Sequence, residues 1–325
     1  MTWLRYSALA GLLCASSVIA EQSALEQAKQ LLEQKQHQEL QALLEPLQRS
    51  HAKDAEFWYL YGRAAMGLDD SATAEKHLKK AAELASDHAH YQFWYGQSSC
   101  NRAQSVNMLR ARGFAIRCRD AFQAAADLEP EMLMYQHALA QFLMQAPSIA
   151  GGDIKQALAV AERIESFDSL QGQLLALQVH AANEDLAAFE ALVARSDDLS
   201  KRPEPYVFRG FYHQQQNAHD QAIAEFEQAI QLPIDADDSE AMEQVFTAWY
   251  QIGRSALLGK TQLEKGIAAL QHYRSQDDYN EWADLRLAQL YLLQDEQEQA
   301  SQLIASLKAN SQDKNLLAEL NKISL

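Results

Sequence analysis

Five arginines fall within eighteen residues: Arg102, Arg110, Arg112, Arg117 and Arg119. Guanidinium forks grip carboxylates and phosphates through paired hydrogen bonds, so the cluster reads as an anion-docking site. The competing reading is a solvated helical hairpin whose arginines pair with acids on neighbouring elements. Cys100 and Cys118 lie in the same stretch, without a Cys-x-x-Cys motif that would mark a reactive thiol. Among the ten histidines only His88 and His90 are near neighbours, and residues two apart on a helix face different ways. With no His-Glu-x-x-His motif and no Cys–His cluster of zinc spacing, no metal is expected. Gly151-Gly152-Asp153 lacks the spacing of a phosphate loop, and no Gly-x-Ser-x-Gly elbow occurs. No cofactor and no catalytic residue is therefore expected. The acid pairs Asp69-Asp70, Asp197-Asp198 and Asp237-Asp238 read as helix caps in turns.

What positions these residues is helical. The 325 residues include only 12 Gly and 6 Pro, too few for the turns of a β-rich protein. The formal charge is −16, which argues against a nucleic-acid partner, because phosphate backbones need a basic face. Residues 1–20 read as a secretory signal peptide: Arg5, an apolar run from about Ala8 to Ile19, then Val18 and Ala20 before a cut ahead of Glu21. Leu13 before Cys14 argues against a lipoprotein signal. No other run is long and apolar enough to span a membrane. The expected location is therefore periplasmic or secreted, and an oxidising compartment permits a bridge between the two remaining cysteines.

Beyond residue 20 the chain repeats. In the segment from Phe57 to Leu84, Gly62 is followed by Ala74, Leu78 and Ala81; from Tyr206, Gly210 is followed at the same spacings by Ala222, Phe226 and Ala229. Each unit is two helices joined by a short polar turn, with the small residues expected to face one another so that the backbones approach. Neither helix buries its apolar face alone, so the units must stack. Trp58, Tyr61-Gly62, Ala74, Leu78 and Ala81, and more loosely Trp249, Ile252-Gly253 and Leu270, resemble the tetratricopeptide repeat family. The phase gives units at roughly 21–54, 55–88, 89–132, 133–168, 169–202, 203–236, 246–280 and 281–314. The fold class this resemblance implies is all-α: a tetratricopeptide-type right-handed superhelical solenoid of about eight helical hairpins, closed by a capping helix over 315–325. Two places depart from the pattern, an elongated hairpin at 89–132 and an inserted loop at 145–153. Together with the LEKGIAAL segment they resemble a group of exported bacterial repeat proteins. In this phase Cys118 takes a small-residue position opposite Gly96 and Cys100 lies one turn further on, at the margin of what a disulfide spans.

The resemblance also implies a concave groove lined by the first helix of each hairpin. Mapped onto this chain, the lining is Tyr59, Arg63 and Met66; Phe93 and Gln97; Val207, Phe211 and Gln214; Tyr250 and Arg254; and Trp282, Leu285 and Gln289. Aromatic anchors with Arg and Gln suit an extended peptide or a partner helix, although aromatics at helical spacing also serve as packing. Tyr59, Arg63, Phe93 and Gln97 stand where relatives that bind acidic chaperone tails carry Lys and Asn, so that specificity is not expected. The reading is a non-catalytic protein- or peptide-binding scaffold of the bacterial envelope. A glycan- or peptidoglycan-associated binder, an enzyme with a groove site and a structural spacer are the alternatives.

Overall fold

The computed structural model describes residues 24–276 and 279–323. The signal-peptide expectation for residues 1–20 lies outside them. The described residues form α-helices almost throughout, in eight antiparallel pairs and a closing helix. They are α1 (24–33), α2 (His37–Leu44), α3 (Ala55–Gly67), α4 (Ser71–Leu84), α5 (Ala89–Ser105), α6 (Met108–Leu128), α7 (Leu133–Gln145), α8 (Ile154–Glu165) and α9 (Ser169–Ala182). Then follow α10 (Leu186–Arg195), α11 (Glu204–Gln215), α12 (His219–Gln231), α13 (Ser239–Gly259), α14 (Leu263–Arg274), α15 (Trp282–Leu293), α16 (Gln297–Asn310) and α17 (Lys314–Leu320). Two compact units divide within α9, one ending at Gly172 and the other beginning at Gln173.

The turns inside the hairpins share one device. Two residues before the second helix stands a residue with positive φ: Lys35, Asp69, Glu184, Asn217 and Asp295. That left-handed residue reverses the chain within a few peptides. The α13–α14 turn, also three residues long, uses two such residues, Lys260 and Gln262. Aspartates and one asparagine then satisfy free N–H groups at helix starts: Asp54, Asp70, Asn107, Asp153, Asp185, Asp238 and Asp313 each accept from a backbone N–H in the first turn.

The repeat glycines show why their spacing is fixed. A Cβ on Gly62 would stand 2.5 Å from Leu78, one on Gly210 2.4 Å from Phe226, one on Gly96 2.6 Å from Phe122, and one on Gly253 2.2 Å from Leu270. The expected small-against-small contact is thus corrected. The glycine receives the large side chain of its own second helix, and Ala74 and Ala222 are buried beside that contact. The ten residues inserted between Gly96 and Phe122 lengthen α5 and α6 to 17 and 21 residues without disturbing the contact.

In the first unit Leu40, Leu44, Phe57, Trp58, Leu60 and Tyr61 form a core between α2 and α3. In the second, Phe226, Ile252, Leu270, Leu287 and Leu290 join α12 to α15, and Leu316 and Leu320 of α17 close the last hairpin against Leu285, Ile304 and Leu307. In the second unit Arg202 is also enclosed. It forks onto Glu204 at 2.7–3.1 Å and donates to Asp238 at 2.7 Å, tying the segment before α11 to the start of α13.

Candidate functional site

In the first unit the first helices of successive hairpins meet in an aromatic cluster. Tyr59 and Arg63 sit one turn apart on α3, and His90, Tyr91 and Trp94 face them from α5. Arg63 donates to the Tyr59 hydroxyl at 2.9 Å, and its guanidinium lies 3.3 Å from the centre of the Trp94 ring. His90 Nε2 lies 3.0 Å from the same hydroxyl, and the Tyr91 ring is 5.3 Å from Tyr59. Burial lowers the Arg63 pKa, with Tyr59 opposing, and raises that of Tyr59. Among the described residues no carboxylate forms an ion pair with this half-buried cation. A cation over an indole face retains its charge and keeps its remaining N–H groups for an anion.

The second unit repeats the arrangement with two arginines. Arg286 of α15 packs 5.0 Å from the Tyr250 ring of α13 and 5.6 Å from Trp282, and among the described residues its hydrogen-bond acceptor is the Trp282 carbonyl at 3.4 Å. Its pKa too is lowered, by burial first and then against the pull of Tyr250. Arg254 donates to Gln214 Oε1 at 3.0 Å, and Gln214 in turn donates to Gln251 and Ser255. Arg254, Lys260, Trp282, Leu285, Arg286 and Gln289 line a groove of about 550 Å³, floored by leucines. Its one acid, Glu319, is engaged by Lys322. Elsewhere in this unit the enclosed arginines have acids: Arg202 has Glu204 and Asp238, Arg209 has Glu190 and Glu225, and Arg274 has Asp284.

The sequence-derived lining is placed unevenly. Tyr59 joins Arg63, and Gln214, Tyr250, Arg254 and Trp282 share one face; Met66 and Gln97 border open polar grooves beside α5. Phe211 lines a small cavity of about 150 Å³ with Phe189, Phe208 and Tyr212. Two expectations are corrected. Phe93 is buried against Phe122 and Tyr135, and Val207 is fully buried in the core, so neither ring nor isopropyl group is offered to a ligand. Trp94 replaces Phe93 on the exposed stripe. Phe93 stands three residues before Gly96 and Trp94 two, and the packed helices turn Phe93 inward. The sequence-derived lining lacks Trp94 and Arg286, yet Trp94 stands three residues before Gln97 and Arg286 four after Trp282, so each shares a helix face with a residue of that lining.

The arginine-rich hairpin is not a single site. Arg102 donates to Ser71 and Ser105, Arg112 to the Ile149 carbonyl at 2.9 Å, Arg117 to Glu75 at 3.1 Å, and Arg119 to Asp120. Cys100 and Cys118 are joined by a disulfide with Cα atoms 5.2 Å apart. His77 is buried between the rings of Trp58 and Tyr61 and held neutral, its pKa lowered to about 4 by burial and then by Lys76 and Lys80. Among the described residues no group of three His, Cys, Asp or Glu could hold a metal ion, and no helix is long and apolar enough to cross a membrane.

Residues 55–88 match the model of the tetratricopeptide repeat family. Yeast Tom70 is similar in structure, with 13% identity, a TM-score of 0.57 and coverage of 88% of this chain but 58% of its own. A thermophilic TPR protein of Thermus thermophilus (13% identity, 70% of this chain and 98% of that one, TM-score 0.39) is also similar. So is the C-terminal part of a TPR repeat-containing protein of Cytophaga hutchinsonii (13% identity, 81% and 99%, TM-score 0.47). No curated protein matches the sequence. Residues 55–88 therefore carry a tetratricopeptide repeat, and the likeness to Tom70 supports an all-helical repeat fold for the described residues.

Proposed function

We propose that this protein is a non-catalytic scaffold of the bacterial envelope that holds an extended, acidic segment of a partner protein along the first helices of its hairpins. The observation that carries the reading is Arg286, a half-buried guanidinium packed against Tyr250 and Trp282 and, among the described residues, in no ion pair with a carboxylate. A cation removed from water without a counter-ion is costly, and a ligand carboxylate repays that cost on binding. The leucines of the same groove take apolar side chains next to the acid, and Arg63 over Trp94 offers a like position in the first unit. The envelope location rests on the sequence of residues 1–20.

Selection of displayed random peptides on the purified chain tests the reading. Enriched peptides should pair Asp or Glu with Leu, Ile or Phe. Arg254→Glu with Arg286→Glu should weaken their binding at least tenfold without changing the unfolding midpoint. Enrichment of neutral or basic sequences, or binding indifferent to both substitutions, contradicts it.

A further inference from the structure

The far end of the α5–α6 hairpin presents a second surface, of a different kind. Leu109, Met108 and Ile149 are 94%, 89% and 71% exposed, and no other large apolar side chain among the described residues exceeds 55%. Met108 and Leu109 open α6. Ile149 is drawn to the same end because Arg112, one turn along α6 from Met108, donates to its carbonyl. These side chains do not line a cavity; they stand outward on a turn.

The charge around them is as unusual as their exposure. From Asp87 to Asp120 the sequence holds five arginines and no acid between, in a chain of net charge −16. Arg117 and Arg119 are engaged by Glu75 and Asp120 at the hairpin base. Arg102 and Arg112 donate to hydroxyls and a carbonyl, and Arg110 is exposed at the tip; among the described residues none of the three forms an ion pair with a carboxylate.

The end is also held firmly. The Cys100–Cys118 disulfide clamps the hairpin behind it, Asn107 caps α6 by accepting from the Arg110 N–H, and Ser71 meets Ser105 at 2.8 Å. Exposed apolar tips ringed by guanidinia match one surface in particular: apolar side chains enter the headgroup layer while arginines meet lipid phosphates.

We propose that this hairpin end docks on an anionic lipid bilayer, with Met108, Leu109 and Ile149 entering the interface and Arg102, Arg110 and Arg112 facing lipid phosphates. The surface is separate from the peptide groove, and the proposal stands without it.

Vesicle flotation tests it, using the chain from Glu21 onward so that the apolar leader does not itself partition. The wild-type chain should float with phosphatidylglycerol-containing vesicles, not with phosphatidylcholine alone, and should be released by high salt. Met108→Ser with Leu109→Ser, and separately Arg110→Glu with Arg112→Glu, should each weaken binding at least about tenfold. Met134→Ser, at an exposed methionine of α7, should leave binding unchanged. All four side chains are exposed, so unfolding midpoints should not move. A tryptophan replacing Leu109 should shift its emission to the blue on anionic vesicles. Failure to float, flotation indifferent to both tip variants, or unshifted emission overturns the proposal. So does a tip variant that loses only a protein partner, which would hand the surface to that partner.

Discussion

Arg202 shows how much one side chain can hold in this fold. Its fork closes on Glu204, which is 5% exposed, while its other arm reaches Asp238. Arg202→Met leaves the Glu204 carboxylate enclosed without its cation and should cost about 3–5 kcal/mol in chemical denaturation. The double replacement with Glu204→Leu should recover much of that loss. His77 makes a different prediction. Its folded pKa of about 4 lies below the ordinary 6.5, so between those values the unfolded chain binds a proton that the folded chain does not. The stability it lends is complete above about pH 6.5 and is lost as pH falls towards 4. His77→Phe keeps a ring between Trp58 and Tyr61, and should flatten the slope of stability in that window by up to about 1.4 kcal/mol per pH unit. None of this was legible in the sequence. The Arg202–Glu204–Asp238 triad joins residues 36 apart, and the burial of His77 depends on rings of the other helix of its hairpin.

At the scale of elements the sequence said more, because the 34-residue spacing is itself a packing contact. Gly210 receives the Phe226 ring, so Gly210→Ala should destabilise by about 1–3 kcal/mol in thermal or denaturant unfolding, through the displaced ring rather than through helix propensity. The contact of glycine and large residue survives the ten residues inserted in α5–α6, although its spacing in sequence does not. Side-chain direction did not survive as well: Phe93 and Trp94 are adjacent, and only the packed helices decide which is core and which is surface. The elongated hairpin carries the disulfide as well. It closes a loop of 18 residues, so Cys100→Ser with Cys118→Ser should cost about 3 kcal/mol. A spectroscopic midpoint measured in oxidised and reduced wild type provides the matching control.

For the whole molecule, the central claim is that in each unit the first helices of the hairpins carry the binding residues and the second helices support them. Repeat architecture was readable from the hairpins that restate one pattern, Gly62 with Leu78 and Gly210 with Phe226, and only loosely over 169–202. The partner was not, because the same fold serves many partners and the arginines that lack counter-ions are recognisable only once the acids around them are placed. The most direct measurement puts a photo-crosslinking amino acid at single positions in living cells. At Gln289, beside Arg286 on α15, irradiation should yield a discrete adduct with another protein; at Gln228, exposed on α12, it should not. Adding Arg286→Glu to the Gln289 variant should abolish the adduct. No adduct at Gln289, or equal adducts at both positions, would contradict the account.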